Sequence, residues 1–380
     1  MKLNRISYEN LSVNVTYSQF ESENGPTEYH AILELSNSGM EAWMQFHEID
    51  DALKRWMREP FMSKASLVWK RYFVTDAANQ KDWIKQKGDE AVSIIQQPVL
   101  NGSKVALWAY AVEDITVEKE EDGPTIALRP NYSHIFHTQL HEPNGDSYQQ
   151  THKVFSSYIK SLEDSQCTLE GNCIRTWIFV QNVDTQYQRM VIARKELFDE
   201  ERLNPNTHYI TSTGIEGKYI YPRVIMTMDA YAIRGIKPEQ ITFLKGYTHL
   251  NPTHDYGVTF ERGTSIHYGD RDHIFIAGTA SINNKGEIVH PLNIKKQIER
   301  TIENISILLE EAGSSFKDVA HLLIYIRDIA DYKTVEEYTT NNFPTIPKVI
   351  LLAPVCRPGW LIEIECMAIK EVRNPQFKDF

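Results

Sequence analysis

The chain writes one unit three times, and that repetition limits the folds open to its 380 residues more than any other feature. Segments 67–84, 174–191 and 322–338 each run from a β-branched, aromatic strand through an Asp-containing turn into a polar helix start. Each is followed, after a variable gap, by another β-rich segment, at 104–112, 223–233 and 360–369. Equivalent strands are spaced on the order of 110–150 residues apart, which is one domain each. The unit boundaries are placed at 1–112, 113–233 and 234–380.

The third copy is the plainest. Residues 273–282 read as a strand and Asn283-Asn284-Lys285-Gly286 as a hairpin turn. Ile294, Ile298, Ile302, Ile305 and Leu309 then mark one face of an amphipathic helix over 292–312, with Gly313 as its C-cap. A strand at 322–327, a helix from Lys333 and strands at 348–355 and 361–369 complete the copy, with Arg357-Pro358-Gly359 turning a hairpin between the last two. The order β…βαβαββ puts helices on one face of a mixed sheet, an α+β unit. The other apolar face must still be buried. Three units packed around an axis as a one-chain pseudo-trimer answer that need, and the chain is then expected as a monomer or weak homo-oligomer.

Forty Lys and Arg stand against fifty-one Asp and Glu, a net charge of −11. That balance disfavours a nucleic-acid binder and points to a small-molecule partner; an anionic one needs a locally basic pocket. No secretory leader is visible, and the longest apolar run, 349–356, is far short of the roughly 20 residues that span a membrane. Four cysteines with no C-x-x-C pair fit reduced thiols, so a cytoplasmic location is expected.

Strand alternation puts Glu363 and Glu365 on one face and Ile362 and Ile364 on the other. Two carboxylates at i and i+2 in an apolar strand raise one another's proton affinity, unless the pair simply faces water at a sheet edge. The equivalent positions are Thr227 and Asp229 in the second copy and Ala106 and Trp108 in the first. His134, His137, His141 and Glu142 invite a zinc reading. They sit in strand-like text, however, where i and i+4 do not form the two-histidine face of a helix, and their spacing matches no closed zinc site. No metal and no cofactor are assigned.

The third copy resembles the Rid (YjgF-like) superfamily in its Phe260-Glu261-Arg262-Gly263 strand, its long helix, the stretch AGSSFKDVAHLLIYIRDIADY and the closing IEIECMAI. Short motifs resemble the chorismatases, a branch of that superfamily with long chains: Phe260-Glu261-Arg262-Gly263 again, Gly278-Thr279-Ala280-Ser281, Val355-Cys356-Arg357-Pro358 and Leu361-Ile362-Glu363-Ile364-Glu365. The second copy adds Arg175-x-Trp177, Tyr187-Gln188-Arg189, Arg194 and Thr211-Ser212-Thr213-Gly214-Ile215. The resemblance implies ligand sites in clefts between units and cleavage of chorismate to pyruvate and a cyclic acid. It makes Glu363 the proton donor to the enolpyruvyl methylene carbon. A substrate with two carboxylates needs cationic partners, and Arg262, Arg194 and Arg357 are the candidates. Arg357 reads equally as a solvated turn residue, and Arg194 as a helix-surface charge paired with Glu196 or Glu200. Thr279 and Ser281 offer hydroxyls beside Gly278 and Ala280, and Thr213 joins them from the second copy. Cys356 with Gly278 resembles the chorismatases that make 3-hydroxybenzoate, so Cys356 is placed beside Glu363 in the catalytic set as the residue that selects product.

Two rivals stand beside this reading. One is imine or enamine deamination, the commoner Rid activity, which resemblance ties to an arginine shortly before the final Glu. Thr345-Ile346-Pro347-Lys348 offers only Lys348 there. The other is a ligand-binding pseudo-trimer without catalysis.

Overall fold

The computed structural model describes residues 1–23, 25–121 and 123–380. Three six-stranded mixed sheets form the frame. The first holds β1 (Lys2–Tyr8), β2 (Val13–Phe20), β3 (Glu28–Leu35), β4 (Ala65–Val74), β5 (Ala91–Gln96) and β6 (Val105–Glu113). The second holds β7 (Thr116–Lys119), β8 (Thr125–Leu128), β9 (Ser133–His141), β10 (Cys173–Val180), β11 (Thr211–Glu216) and β12 (Met226–Arg234). The third holds β13 (Ile241–Leu244), β14 (Gly263–His267), β15 (Arg271–Ala280), β16 (Val319–Ile326), β17 (Lys348–Leu352) and β18 (Ile362–Glu371). Their spatial orders, β1-β2-β3-β6-β4-β5, β7-β8-β9-β12-β10-β11 and β13-β14-β15-β18-β16-β17, are the same order written three times. The repeat seen in the sequence is thus a repeat of topology.

Helices α1 (Ala42–Trp56), α2 (Ala77–Gln80), α3 (Ser147–Asp164), α4 (Leu169–Asn172), α5 (Val183–Glu200), α6 (Ile294–Glu311) and α7 (Tyr332–Asn342) connect and cover the sheets. Helix α6 starts where the Asn293 side chain accepts the Lys296 amide. It ends at Gly313, whose φ of +65° favours a residue without a Cβ. Ile298, Ile305, Leu308 and Leu309 bury its apolar face, while Ile294 and Ile302 are only partly covered.

One element differs from expectation. Residues 348–355 and 361–369 do not form a hairpin: β17 pairs parallel with β16, and β16 pairs antiparallel with β18, so β16 fills the slot between them. A hairpin joins adjacent antiparallel strands, and here the neighbours are not adjacent. The connection carrying Arg357-Pro358-Gly359 therefore crosses from the sheet edge to its centre, and Val355 bridges to Ile215 of the second unit on the way. The Asn283–Gly286 turn does form, but it closes only the single bridge between Ile282 and Ile288.

The inner faces of the three sheets meet on Trp69, Trp108, Phe136, Trp177, Tyr231 and Phe275. Each interface also carries a buried carboxylate on a guanidinium. Arg71 of the first unit holds Asp229 of the second at 2.8 Å, and Arg175 of the second holds Glu365 of the third at 2.7 Å. Arg271 of the third unit closes the ring on Glu28 of the first at 2.6 Å. Among the described residues no helix is long and apolar enough to cross a membrane.

Removing one partner of such a pair strands a buried charge. Asp229→Ala, which also orphans the Ser93 hydroxyl and the Gln139 amide that Asp229 accepts, is expected to lower unfolding free energy by about 3–5 kcal/mol. The double change Asp229→Leu with Arg71→Met is expected to restore much of it, as read by urea denaturation.

Candidate active site

Glu363 and Glu365 lie on the central strand β18, flanked by β15 and β16, so the pair does not face water at a sheet edge. Both are buried, and Ile362 and Ile364 of opposite parity pack in the core. The two carboxyls have different surroundings. Glu365 receives the Arg175 guanidinium at 2.7 Å, the Trp177 indole N–H at 2.8 Å and the Thr213 hydroxyl, all from the second unit. Glu363 faces a cavity of about 200 Å³ between the second and third units. Burial, and then the neighbouring Glu365 charge, push its carboxyl up to about 8, against the opposing pull of Arg175 and Arg262. A carboxylic acid that keeps its proton at neutral pH is a proton donor in waiting.

The side chain of Glu363 lies against the α-carbon of Gly278. A Cβ built there would sit 2.2 Å from Glu363 Oε1 and 3.0 Å from Thr213 Cγ2, so only glycine leaves room for this carboxyl position. The Gly278 amide donates to Thr213 Oγ1 at 2.9 Å. Thr213 thereby ties the Glu365 clamp to the backbone under Glu363.

Arg194, Arg262 and Arg357 all line the cavity. Arg262, just before β14, donates to the carbonyl and side-chain oxygens of Asn251, each at 3.2 Å. Arg194 is 1% exposed and donates to Thr259 Oγ1 at 3.1 Å, which excludes the reading as a surface charge paired with Glu196 or Glu200. Arg357 lies over the Trp360 ring, 5.3 Å from its centroid, rather than in solvent. Cys356 lines the same wall, and burial followed by the Glu363 charge pushes its thiol up to about 12. It is present as a thiol, not as a nucleophilic thiolate.

Of the remaining candidates, Gly278, Ala280 and Thr213 line the cavity, and Thr279 and Ser281 do not. A bulge in β15 between Ile276 and Thr279 resets the strand's alternation. The Thr279 hydroxyl then donates to the Ala277 carbonyl at 2.9 Å and that of Ser281 to the Val289 carbonyl at 2.8 Å. The histidines of β9 also part company: His134 bonds Tyr231, His137 bonds Ser161 and His141 bonds the Gln139 carbonyl.

Sequence reasoning gave no role to the Arg175, Trp177 and Thr213 clamp on Glu365. Arg175-x-Trp177 enters it only as a motif and Thr213 only as a substrate-side hydroxyl; the signal for a clamp was an arginine in the otherwise apolar strand CIRTWIFV. Tyr187 and Gln188 of α5, with Phe260, Ile282 and Trp360, complete the walls.

The Endoribonuclease L-PSP family model matches residues 265–370. A RutC family protein of Pyrococcus abyssi is 39% identical over 101 residues, 26% of this chain and 79% of that protein. A chorismatase of Streptomyces hygroscopicus is 26% identical over 214 residues, covering 51% of this chain and 60% of the chorismatase. A chorismatase crystal structure superposes with a TM-score of 0.64 at 19% identity, over 80% of this chain and 93% of that one, which establishes a shared fold across all three units. By its third unit the chain belongs to the Rid family, the family of the L-PSP and RutC proteins.

Proposed function

We propose that the chain cleaves the enolpyruvyl ether of chorismate, releasing pyruvate and leaving a cyclic carboxylic acid. The observation that carries this reading is a buried carboxylic acid, Glu363, facing a small cavity that three arginines also line. Chorismate is a dianion, and guanidinium groups on two sides of the cavity suit its two carboxylates. The likeness to chorismatases in sequence and fold supports the same substrate.

In this scheme Glu363 gives its proton to the methylene carbon of the enol ether. The ether oxygen then shares the positive charge of an oxocarbenium ion, and the glutamate left behind can take a proton back later in the cycle. If water adds to the cation, the hemiketal collapses to pyruvate and a dihydroxycyclohexadiene acid, with one water consumed. If instead the ring's own 4-hydroxyl adds to the cation, giving up its proton, the cyclic ketal can open by breaking its C4–O bond while C3 loses a proton. The former 4-oxygen leaves as the ketone of pyruvate, the ether oxygen stays on C3 as the phenol, and pyruvate and 3-hydroxybenzoate together contain the atoms of chorismate with no water taken up. Cys356 and Gly278 border the acid, and their identity favours the aromatic product. The un-ionised Cys356 thiol acts here as a small, weakly polar wall that leaves little room for water.

The deaminase reading fits the cleft less well. The strand facing Glu363 across the cavity is β11 of the second unit, which places Ser212 and Thr213 there. Lys348 lines a different cleft.

Purified protein given chorismate is expected to release pyruvate in a coupled assay, with 3-hydroxybenzoate as the main acid by chromatography; intact chorismate would reject the reading. Glu363→Gln is expected to lower kcat by about 10²–10⁴-fold, and a loss of only a few-fold would remove Glu363 from the acid role. Cys356→Ala is expected to shift product toward the dihydroxycyclohexadiene acid while total pyruvate changes by less than about tenfold.

The pH dependence has a definite sign. The active form is protonated Glu363, so kcat/KM is expected to be level below about pH 8 and to fall with rising pH above it. Stability follows the same proton. The folded carboxyl holds it up to about 8 and the unfolded one only to the usual 4.5, so its contribution falls as pH rises between those values. The melting temperature of Glu363→Gln relative to wild type is therefore expected to increase from about pH 5 to about pH 8.5, as read by calorimetry.

A further inference from the structure

The threefold repeat builds the same kind of cleft again between the third and first units. A polar cavity of about 280 Å³ lies there, between β17 and α7 on one side and β1, β2 and β3 on the other. Two cations and two carboxyls line it: Lys348 from β17, Arg5 from β1, Glu34 from β3 and Glu336 from α7, the last accepting the Tyr332 hydroxyl at 2.6 Å. Among the described residues neither cation forms a contact ion pair with Glu34, although both act on its charge through space. The Lys348 ammonium donates to the Phe343 carbonyl at 2.7 Å, which fixes its position at the rim.

The position of Glu34 is informative. In the third sheet Ala280 of β15 sits opposite Glu363 of β18. In the first sheet the equivalent strands are β3 and β6, and there Glu34 sits opposite Ala106. The acid and the alanine have exchanged places across one antiparallel pair. Cross-strand neighbours have Cβ atoms about 4.5–5.5 Å apart, so the exchange keeps a carboxyl in the cleft while moving it by one strand. Burial and then Glu336 push Glu34 up to about 7, with Lys348 and Arg5 pulling the other way. Asn101 donates to Glu34 Oε1 at 3.3 Å, and Ile346 and Ile350 supply an apolar wall.

We propose that this second cleft binds a small carboxylic acid bearing a hydroxyl group, its carboxylate between Lys348 and Arg5, its hydroxyl on Glu34 and Asn101, and its body against Ile346 and Ile350. A cation from each wall suits a carboxylate held between them, and a carboxyl with an amide beside it suits a hydroxyl, which both donates and accepts. The volume admits a single substituted ring. This site is separate from the cavity of Glu363, and the inference does not depend on chorismate being the substrate.

The test is binding stoichiometry, with 3-hydroxybenzoate as the probe, measured by titration calorimetry on the full chain and by soaked crystals. The expected result is two molecules per chain, one in each cleft. Lys348→Met is expected to weaken one of the two by at least tenfold, and Thr340→Trp, an exposed position on α7 lining the cavity, to block the same one without disturbing buried residues. Arg262→Ala is expected to weaken the other. Uptake of one molecule insensitive to both Lys348→Met and Thr340→Trp, or no density in the second cleft at millimolar probe, overturns the proposal. Loss of only the Arg262-sensitive molecule leaves it standing and counts instead against the chorismate reading.

Discussion

The carboxylate of Glu365, received by Arg175, Trp177 and Thr213 of the neighbouring unit, is the interaction on which the site depends. It locks the third sheet to the second across the cleft that holds Glu363. It also sets a negative charge two residues from Glu363 on the same strand, beside the burial that already raises that acid's proton affinity. A buried ion pair gains little net stability over an apolar contact, but breaking one is costly, so its role is to fix relative position. Here the fixed position belongs to the acid proposed as the proton donor. Thr213 extends the effect by accepting the Gly278 amide, so the floor under Glu363 and the clamp on Glu365 move as one body.

The three interfaces show how a repeated unit comes to carry the Glu363 and Glu365 pair in one sheet of the three. The slot of Glu365 is filled by Asp229 in the second sheet, and both reach an arginine of the preceding unit. In the first sheet the slot holds Trp108, whose ring lies 4.4 Å from that of His321 in the third unit, and an aromatic contact replaces the ion pair. The task of pairing charge across that interface passes to Glu28, with Arg271 and His273. The adjoining slot holds Glu363, Thr227 and Ala106 in the three sheets. An acid in this slot with a carboxylate two residues further along the strand occurs, among the three sheets, only in the third.

Much of this was legible because strand alternation is a local rule. Period-two parity put Glu363 and Glu365 on one face, and the repeat itself predicted three sheets around an axis. Thr279 and Ser281 are expected from the sequence in the site beside Gly278 and Ala280, four consecutive residues that a strand cannot all turn to one face. Gly278 and Ala280 line the cavity and the two hydroxyls face away, beyond a bulge between Ile276 and Thr279. A glycine in a strand is a weak sign of a bulge, and nothing in the sequence fixes on which side of it the register slips. The hairpin expected at Arg357-Pro358-Gly359 failed for a different reason. A turn motif shows that the chain bends, not which strand lies beside it, and β16 had already taken the intervening slot. The burial of Arg194 and the partnership of Arg175 with Glu365 depend on residues from distant segments, and the latter pair is 190 positions apart. Only packing of one unit against the next brings such groups together.

The charge arrangement resolves an apparent conflict. Three guanidinium groups around a carboxyl should strip its proton, and Arg262 and Arg175 do pull Glu363 downward. Arg175 is bonded to Glu365, so its field is largely cancelled at the point where it would act. The remaining cations face the cavity. A dianionic substrate bound to them would cancel their field as well, and its own negative charge would raise the proton affinity of Glu363 further. Binding and proton uptake are then linked with the same sign: the ligand that needs the proton strengthens the hold of its donor on it, and the protonated acid in turn favours the dianion.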